Sequence, residues 1–148
     1  MKNPLPLLLI SLIFVSCATQ QEKPDSLVTA PKPAVKPKVL QTQHGIASWY
    51  SVKTNFGTKT ASGRPFGNNG YTAAHKHWPM GSKVRVTSKF NGKSEILTIT
   101  DRGPYVKGRI IDVSIGSAKR LGFYSRGITK VKVELLKRGN WKYQHPKN

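Results

Sequence analysis

The stretch KVRVTSKFNGKSEILTIT, residues 83–100, contains two runs of alternating apolar and polar side chains on either side of Asn91-Gly92. Alternation with a period of two is typical of β-strands that bury one face. Asn-Gly is a favoured turn dipeptide because both residues tolerate positive φ. The stretch therefore predicts two antiparallel strands, Lys83–Thr87 and Glu95–Thr100, joined by a hairpin.

Outside this hairpin the chain contains further short apolar runs between turn-forming residues. The runs predicted to be strands are Gly45–Tyr50, Tyr71–His75, Arg109–Val113 and Ile128–Leu136, with a turn-rich loop at Thr54–Gly63. Ser114 is a suitable N-cap for a short helix through Ala118 and Leu121 that ends at Gly122. Many short strands with one small helix favour a mainly β fold, a small closed barrel rather than a sandwich.

The turn Asp101-Arg102-Gly103-Pro104-Tyr105 directly follows the second strand of the hairpin. Asp101 is one of four acidic residues after Thr42. Loops at the ends of strands carry a large share of binding and catalytic groups. Asp101 is therefore the leading candidate site residue, and Gly103-Pro104 is expected to build the turn that presents it.

The N-terminus has the pattern of an export signal. Met1 and Lys2 precede an apolar run, Leu5–Val15, which is too short for a mature membrane span. Ser16-Cys17-Ala18 follows and resembles the lipobox of bacterial lipoproteins, which implies a signal peptide at 1–16 and lipidation of Cys17. Ala18 resembles the signal for outer-membrane sorting, so we expect a lipid-anchored protein facing the periplasm.

Residues 17–43 are predicted to be a flexible tether because they are polar and contain Pro24, Pro31, Pro33 and Pro37. The folded domain is placed at 44–138 and a basic tail at 139–148. Cys17 is the only cysteine of the 148 residues, so no internal disulfide is expected.

The charge of the domain is strongly positive. Residues 44–148 hold 20 of the 25 Lys and Arg residues and four acidic residues, and 20 minus 4 gives +16. Such a charge attracts polyanions. Because the protein is expected to be exported, the anticipated anions are lipid head groups and cell-wall carboxylates and phosphates, and no nucleic-acid partner is expected.

A series of ordered motifs resembles the rare lipoprotein A family of septal lytic transglycosylases. The matching segments are Gly45–Tyr50, Thr60–Gly63, Thr72–His75, Pro79–Thr87, Asn91–Lys93, Asp101–Tyr105, Arg109–Ser114 and Ala118–Gly122. The resemblance implies a six-stranded double-psi β-barrel with one or two short helices. It implies cleavage of peptidoglycan glycan strands to 1,6-anhydro ends without water, with possible partners among division-site proteins. Asp101 matches the family's essential aspartate, and His75 matches its functional histidine.

The chain departs from the family pattern in the loop after Gly63. Arg64 stands where the family has a glutamate, and Gly67 stands where it often has an aspartate. An Arg64 guanidinium close to Asp101 would favour the ionised form of that carboxyl and weaken it as an acid. Arg64 could instead bind a carboxylate of the wall, including the lactyl group of N-acetylmuramic acid.

Three hypotheses of function follow from these residues. The first is a lytic transglycosylase in which a single carboxyl, Asp101, protonates the glycosidic oxygen and then accepts a proton from the sugar's 6-hydroxyl. The second is a wall-binding module with weakened or lost catalysis, suggested by Arg64 and Gly67. The third, least favoured, is a polyanion-binding protein that uses the basic surface.

The remaining candidates have weaker signals. His75 is expected to orient Asp101 or the substrate, and Arg102, Tyr50 and Tyr105 are candidates for substrate binding, the two tyrosines by stacking on sugar rings. Trp49 and Phe66 are alternative stacking residues. For Asp112 a structural role at the start of the helix is favoured over a functional one. His75 and His77 form a His-x-His pair without further ligand spacing, so no metal or other cofactor is expected.

Overall fold

The computed structural model describes residues 37–55 and 57–142. Over these residues the strands are β1 Gln41–Tyr50, β2 Thr72–His75, β3 Lys83–Ser88, β4 Ser94–Asp101, β5 Arg109–Ser114 and β6 Ile128–Lys137. They close into a barrel in the order β1-β5-β2-β4-β3-β6. A helix, α1 Ile115–Arg120, and a 3-10 turn, Tyr124–Arg126, lie between β5 and β6. The predicted mainly β, six-stranded barrel with one or two short helices is confirmed.

The hairpin of β3 and β4 forms as its alternation predicts. Lys83 pairs with Thr98 and Thr87 with Ser94 in antiparallel register. The inward residues Val84, Val86, Leu97 and Ile99 are fully buried. Gly92 has a φ of 72°, a backbone conformation in which residues with a Cβ are strained. The turn therefore needs a glycine at this position.

Two pairs of neighbouring strands, β1 with β5 and β2 with β4, run parallel, and the other contacts of the barrel are antiparallel. The β2–β4 pair matters most for the site. His75 ends β2 and Asp101 ends β4. Since parallel neighbours end at the same edge of a sheet, both predicted catalytic residues lie at one rim of the barrel.

The short helix is capped as its sequence predicts. The Ser114 side chain accepts a hydrogen bond from the backbone N–H of Ser117. The Ser114 hydroxyl also donates to the carbonyl of Gly70, which ties the helix start to the loop that leads into β2. Gly122, with a φ of 77°, follows the last helical turn.

The folded region extends beyond both of its predicted boundaries. β1 begins at Gln41, before the predicted domain start at His44, because Gln41 to His44 pair with β6. At the other end, the predicted tail from 139 begins inside the fold. Gly139 donates to the Ser82 hydroxyl at 2.9 Å, and Trp141 donates to the Met80 carbonyl at 3.2 Å and packs on the core.

The predicted signal peptide, Cys17, most of the tether and residues 143–148 of the tail lie outside the described residues. In 37–55 and 57–142, no helix combines the length and apolarity needed to cross a bilayer.

Candidate active site at the end of β4

Asp101 is a partly exposed residue whose carboxylate is held from one side. Its Oδ1 accepts hydrogen bonds from two backbone N–H groups, that of Ala61 at 3.0 Å and that of the adjacent Arg102 at 2.8 Å. The described residues place no hydrogen bond on Oδ2. One oxygen therefore fixes the carboxyl group while the other remains available for chemistry.

The loop that supplies the Ala61 N–H is docked onto the end of β4. The backbone N–H of Ser62 donates to the carbonyl of Thr100 at 3.1 Å. The Thr60 hydroxyl donates to the carbonyl of Arg64 and also contacts the Ser62 hydroxyl, so the segment closes on itself. Thr60, Ala61 and Ser62 are all buried. The loop thus holds Asp101 with buried backbone groups whose positions depend on the fold.

The strand register places a second aspartate in the same row as Asp101. Ala74 of β2 pairs with Asp101 on β4 and with Asp112 on β5, and Asp112 pairs with Ser48 on β1. Neighbouring strands lie about 4.8 Å apart, so the two aspartates are separated by about 10 Å of backbone. Ala74, a small buried residue, occupies the position between them in this row.

Asp112 has a structural set of partners. It accepts the Ser48 hydroxyl at 2.7 Å and forms an ion pair with Arg109 at 2.6 Å. The first-turn amide of the helix is bound by Ser114 instead. The predicted structural role is supported, but its partners are Ser48 and Arg109 rather than the helix amides, because Asp112 points across the sheet toward β1.

Tyr50 ends β1, two residues after Ser48 of this row. Its ring packs on Phe66, with ring centroids 4.8 Å apart, and its hydroxyl donates to the Thr72 hydroxyl at 3.3 Å. Burial raises the pKa of Tyr50 to about 12, opposed by the Thr72 hydrogen bond and reinforced by the charges of Asp101 and Asp112. Tyr50 is therefore a neutral hydroxyl near both aspartates, with its ring packed on Phe66. Its predicted stacking on sugar stays a prediction.

His75 is buried, and both of its ring nitrogens are bonded within the domain. Nδ1 accepts the backbone N–H groups of His77 and Trp78 at 3.2 and 3.0 Å, which leaves Nε2 to carry the proton and donate to Gln43 Oε1 at 3.1 Å. The ring stacks on Trp78, with centroids 4.1 Å apart. The predicted hydrogen bond from His75 to Asp101 is therefore replaced by contacts that fix the turn after β2.

The environment of His75 keeps it neutral. Burial lowers the pKa of His75 to about 4, and the nearby positive charges of His77, Arg102 and Lys76 lower it further in the same direction. A neutral imidazole suits its observed bonds because a protonated Nδ1 could not accept two N–H groups. In this arrangement His75 is a neutral side chain that fixes the turn after β2, and its predicted functional role stays a prediction.

Arg102 contributes to the same turn. Its guanidinium donates to the carbonyl of His75 at 3.2 Å and to that of Trp78 at 2.9 Å. These bonds link the residue next to Asp101 with the end of β2. The predicted substrate-binding role of Arg102 is thus accompanied by a structural one.

Arg64 forms no ion pair with Asp101. The four ion pairs found among the described residues do not include it. Its guanidinium carbon lies 3.8 Å from the ring centroid of Trp141. The replacement of the family glutamate therefore leaves Asp101 without an ion-paired arginine on this side.

Tyr105 is a solvent-exposed aromatic residue four positions after Asp101. It follows the Gly103-Pro104 turn and is 80% exposed. Phe66 is buried, and the Trp49 indole donates to the Tyr124 carbonyl at 3.1 Å. Of the predicted stacking residues, Tyr105 is the most exposed.

Sequence reasoning missed three residues that shape the site. Gln43 binds His75, and Gln41 accepts the Trp78 indole N–H at 3.0 Å, yet both were assigned to the tether. Trp141, assigned to the tail, stacks with Arg64. A tryptophan in an otherwise polar, basic segment is a signal for packing that could have identified it. Among the described residues, no group of three His, Cys, Asp or Glu side chains is arranged to hold a metal.

Comparison with known sequences gives one consistent result. The sequence model of a family described as lytic transglycolase matches residues 42–133. The endolytic peptidoglycan transglycosylase RlpA of Rickettsia felis is 52% identical over 97 residues, which cover 64% of this chain and 42% of that protein. The protein of the same name from Neisseria meningitidis serogroup A is 48% identical over 95 residues, covering 64% and 39%. The chain thus spans less than half the length of these curated relatives.

Solved structures with the same architecture are more distant in sequence. The Streptomyces papain inhibitor superposes with a TM-score of 0.54 at 19% identity. The match covers 69% of this chain and 100% of the inhibitor. An expansin from Clavibacter michiganensis gives 0.52 at 20% identity and covers 68% of this chain and 52% of its own. At this identity the likeness concerns the fold, a double-psi β-barrel.

Proposed function

Because the chain belongs to the lytic transglycolase family and is related to the rare lipoprotein A proteins, we propose that it is an endolytic transglycosylase of peptidoglycan. The substrate is the glycan strand, cut between N-acetylmuramic acid and N-acetylglucosamine. The product is a strand with a 1,6-anhydro end. The reaction serves remodelling of the wall, including at cell division.

The observation that carries this proposal is the one-sided fixation of Asp101. Backbone N–H groups of Ala61 and Arg102 bind Oδ1, while the described residues give Oδ2 no hydrogen bond. A carboxyl that must exchange protons with substrate needs a fixed orientation and one oxygen in reach of the reacting atoms. Asp101, at the exposed end of β4, meets both requirements.

The proposed reaction uses Asp101 twice. Its carboxyl first gives a proton to the glycosidic oxygen as the bond to the anomeric carbon of N-acetylmuramic acid breaks. The carboxylate then takes the proton of the 6-hydroxyl on the same sugar as that oxygen bonds to the anomeric carbon. One proton leaves the enzyme and one returns, so no water is consumed.

This chemistry explains how a site with a single free carboxyl can cleave a glycan. Hydrolytic glycosidases generally use two carboxyl groups because one must activate water or act as nucleophile. Here the nucleophile is part of the substrate, and intramolecular attack supplies a high effective molarity. Asp112 is already bound by Ser48 and Arg109, so it is not needed for the proton transfers.

The test is product analysis. The mature chain, incubated with purified glycan strands, should release fragments with anhydro ends that are 18 Da lighter than hydrolysis products, the mass of one water. Asp101→Asn should lower the rate by about a hundredfold or more, the usual contribution of general acid-base catalysis. Release of reducing-ended products, or of none from the wild type where a relative is active, would contradict the proposal.

The protein used must include β1 in full. A chain starting at His44 would lack Gln41 and Gln43, which bind Trp78 and His75. Inactivity of such a fragment would reflect damage to the rim. The alternative of a wall-binding module with weakened or lost catalysis was suggested by Arg64 and Gly67, which stand where the family has acidic residues. The family match and the relatives named transglycosylases favour the enzyme over that alternative.

The proposed location is the outer membrane, facing the periplasm, through lipid on Cys17. The support is the apolar run Leu5–Val15 followed by Ser16-Cys17-Ala18, since two or more acyl chains give stable attachment. Cys17→Ala should release the protein from the membrane fraction and abolish incorporation of labelled palmitate. Retention of both in the variant would rule out Cys17 as the anchor.

A further inference from the structure

Arg64 is an exposed arginine held in a defined position. Its guanidinium carbon lies 3.8 Å from the ring centroid of Trp141, the geometry of a cation–π stack. No acidic side chain of the described residues forms an ion pair with it. A stacked arginine uses its flat face for the ring, so the N–H donors along its edge remain directed outward.

Trp141 is itself fixed to the barrel. Its backbone N–H donates to the Met80 carbonyl at 3.2 Å. A Cβ added to Gly81 would lie 2.8 Å from three atoms of the indole, which shows that the ring packs directly on that glycine. Gly81 in turn donates to the carbonyl of Ile99 at 2.7 Å, two positions before Asp101.

The other side of the stack is fixed to Asp101 through the loop. The Arg64 carbonyl accepts the Thr60 hydroxyl, and Ala61, between them, donates to the Asp101 carboxylate at 3.0 Å. Arg64 and Trp141 are thus connected to Asp101 by two separate short paths. These bonds join the stack to the Ala61 loop and to β4, the two segments that position Asp101.

Two other stacked arginines show what distinguishes this pair. Arg120 lies over Tyr71 at 4.0 Å, but it is ion-paired with Glu95. Arg126 lies over Phe90 at 3.7 Å, next to the β3–β4 turn. That turn is at the opposite end of β4 from Asp101. Of these three, Arg64 alone combines the lack of an acidic partner with bonds to the segments that hold Asp101.

We propose that Arg64, held by Trp141, is a subsite that binds a carboxylate carried by the wall polymer while Asp101 acts on the neighbouring glycosidic bond. The planar guanidinium edge matches a carboxylate with two parallel hydrogen bonds. The carboxylate belongs either to the lactyl group of N-acetylmuramic acid or to a stem peptide. The inference rests on the proposed function for its substrate but can be measured by binding alone.

The test combines protein variants with a chemically altered wall. Sedimentation with insoluble peptidoglycan gives Kd, using native wall and wall whose carboxylates have been converted to amides with a carbodiimide and ammonium. The full chain carries Arg64→Gln, Arg64→Lys or, as matched control, Arg126→Gln. Arg126→Gln removes the same charge from another exposed, stacked arginine.

Arg64→Gln should weaken binding to native wall about tenfold, the effect of losing a charge-assisted hydrogen-bonded pair. It should change binding to amidated wall by less than about twofold, because no carboxylate remains to be bound. Arg64→Lys should keep less than half of the gain in affinity for native wall over amidated wall, since an ammonium cannot form the paired bonds. Arg126→Gln should leave the difference between the two walls unchanged.

If Arg64→Gln lost affinity equally for native and amidated wall, or lost none for either, the proposal would be overturned. Treatment with an amidase removes the stem peptides and frees the lactyl carboxyl from its amide bond to the peptide, and so identifies the carboxylate. An Arg64 effect that grows on the treated wall assigns the lactyl group, and one that disappears assigns the peptide. Failure of wild type to form anhydro ends would reject the proposed activity without affecting this binding result.

Discussion

Ala61 and Asp101 are joined by a 3.0 Å hydrogen bond from a backbone N–H to a carboxylate oxygen, between residues 40 positions apart in the chain. The bond connects the loop before β2 with the end of β4. It fixes the orientation of the carboxyl on which the proposed reaction depends. It also means that Asp101 contributes to the structure of its own site.

The two roles of Asp101 can be separated by substitution. Asn keeps an oxygen that can accept the N–H groups of Ala61 and Arg102, whereas Ala removes the acceptor. Because Ala61 is buried, Asp101→Ala should be less stable than Asp101→Asn by about 1–3 kcal/mol, the usual cost of an unsatisfied buried donor. Denaturant unfolding measures the difference. Equal stability of the two variants would show that the hydrogen bond to Ala61 contributes little.

His75 predicts a specific dependence of stability on pH. Its pKa is about 4 in the folded domain against 6.5 when unperturbed, so the unfolded chain binds more protons between these values. Stability should therefore fall as the pH falls from about 6.5 to about 4, by at most about 3 kcal/mol from this group. Above pH 6.5 the contribution is constant.

The corresponding measurement is urea unfolding of wild type, His75→Gln and His77→Gln across pH 4–7. His75→Gln should be less stable than the wild type at pH 7. Its free energy of unfolding should no longer show the fall between pH 6.5 and pH 4 that comes from His75. His77 is exposed, so His77→Gln should retain most of this fall in stability with pH. A pH dependence in His75→Gln as steep as that of the wild type would contradict the assignment.

Gly81 supports the indole that holds Arg64, and Gly92 provides a control. Both have positive φ, 81° and 72°, so alanine at either position should cost about 1–2 kcal/mol in backbone strain. An alanine at 81 would also meet Trp141 at 2.8 Å, whereas Gly92 has no atom within 4 Å of an added Cβ. Gly81→Ala should therefore be the more destabilising by at least about 1 kcal/mol.

Gly81→Ala should also weaken wall binding, because displacement of Trp141 releases Arg64. Gly92→Ala, in the turn at the far end of β4, should leave binding unchanged. Thermal unfolding and wall sedimentation measure the two effects. Equal destabilisation by both substitutions would show that the indole moves away from Gly81 at no cost.

Tyr105 is expected to contribute to substrate binding and not to stability. It is 80% exposed, so the unfolding midpoint of Tyr105→Ala should equal that of the wild type within error. Loss of a stacked ring should raise KM for glycan strands about fivefold, while kcat stays the same, and Tyr105→Phe should retain most of the binding. Phe90→Ala, which removes a ring 57% exposed at the β3–β4 turn, is the control. Equal effects of Tyr105→Ala and Phe90→Ala on KM would remove Tyr105 from the site.

The strands and the position of Asp101 followed from sequence because their signals are local. Alternation in 83–87 and 95–100 requires only that one face of each strand be buried, and both strands form as predicted. The Ser114 cap is equally local. The boundaries were less predictable because Gln41 to His44 carry no strand pattern of their own. They are held in β1 by pairing with β6.

The sequence by itself determined the mainly β barrel, the turn that presents Asp101 and the family to which the chain belongs. The tertiary structure decided what surrounds Asp101. Ala61 reaches the carboxylate across 40 positions, and His75 turns toward Gln43. Arg64 stacks on Trp141 and forms no ion pair with Asp101. These contacts join segments far apart in the chain. Their geometry depends on closure of the barrel, which no local pattern encodes.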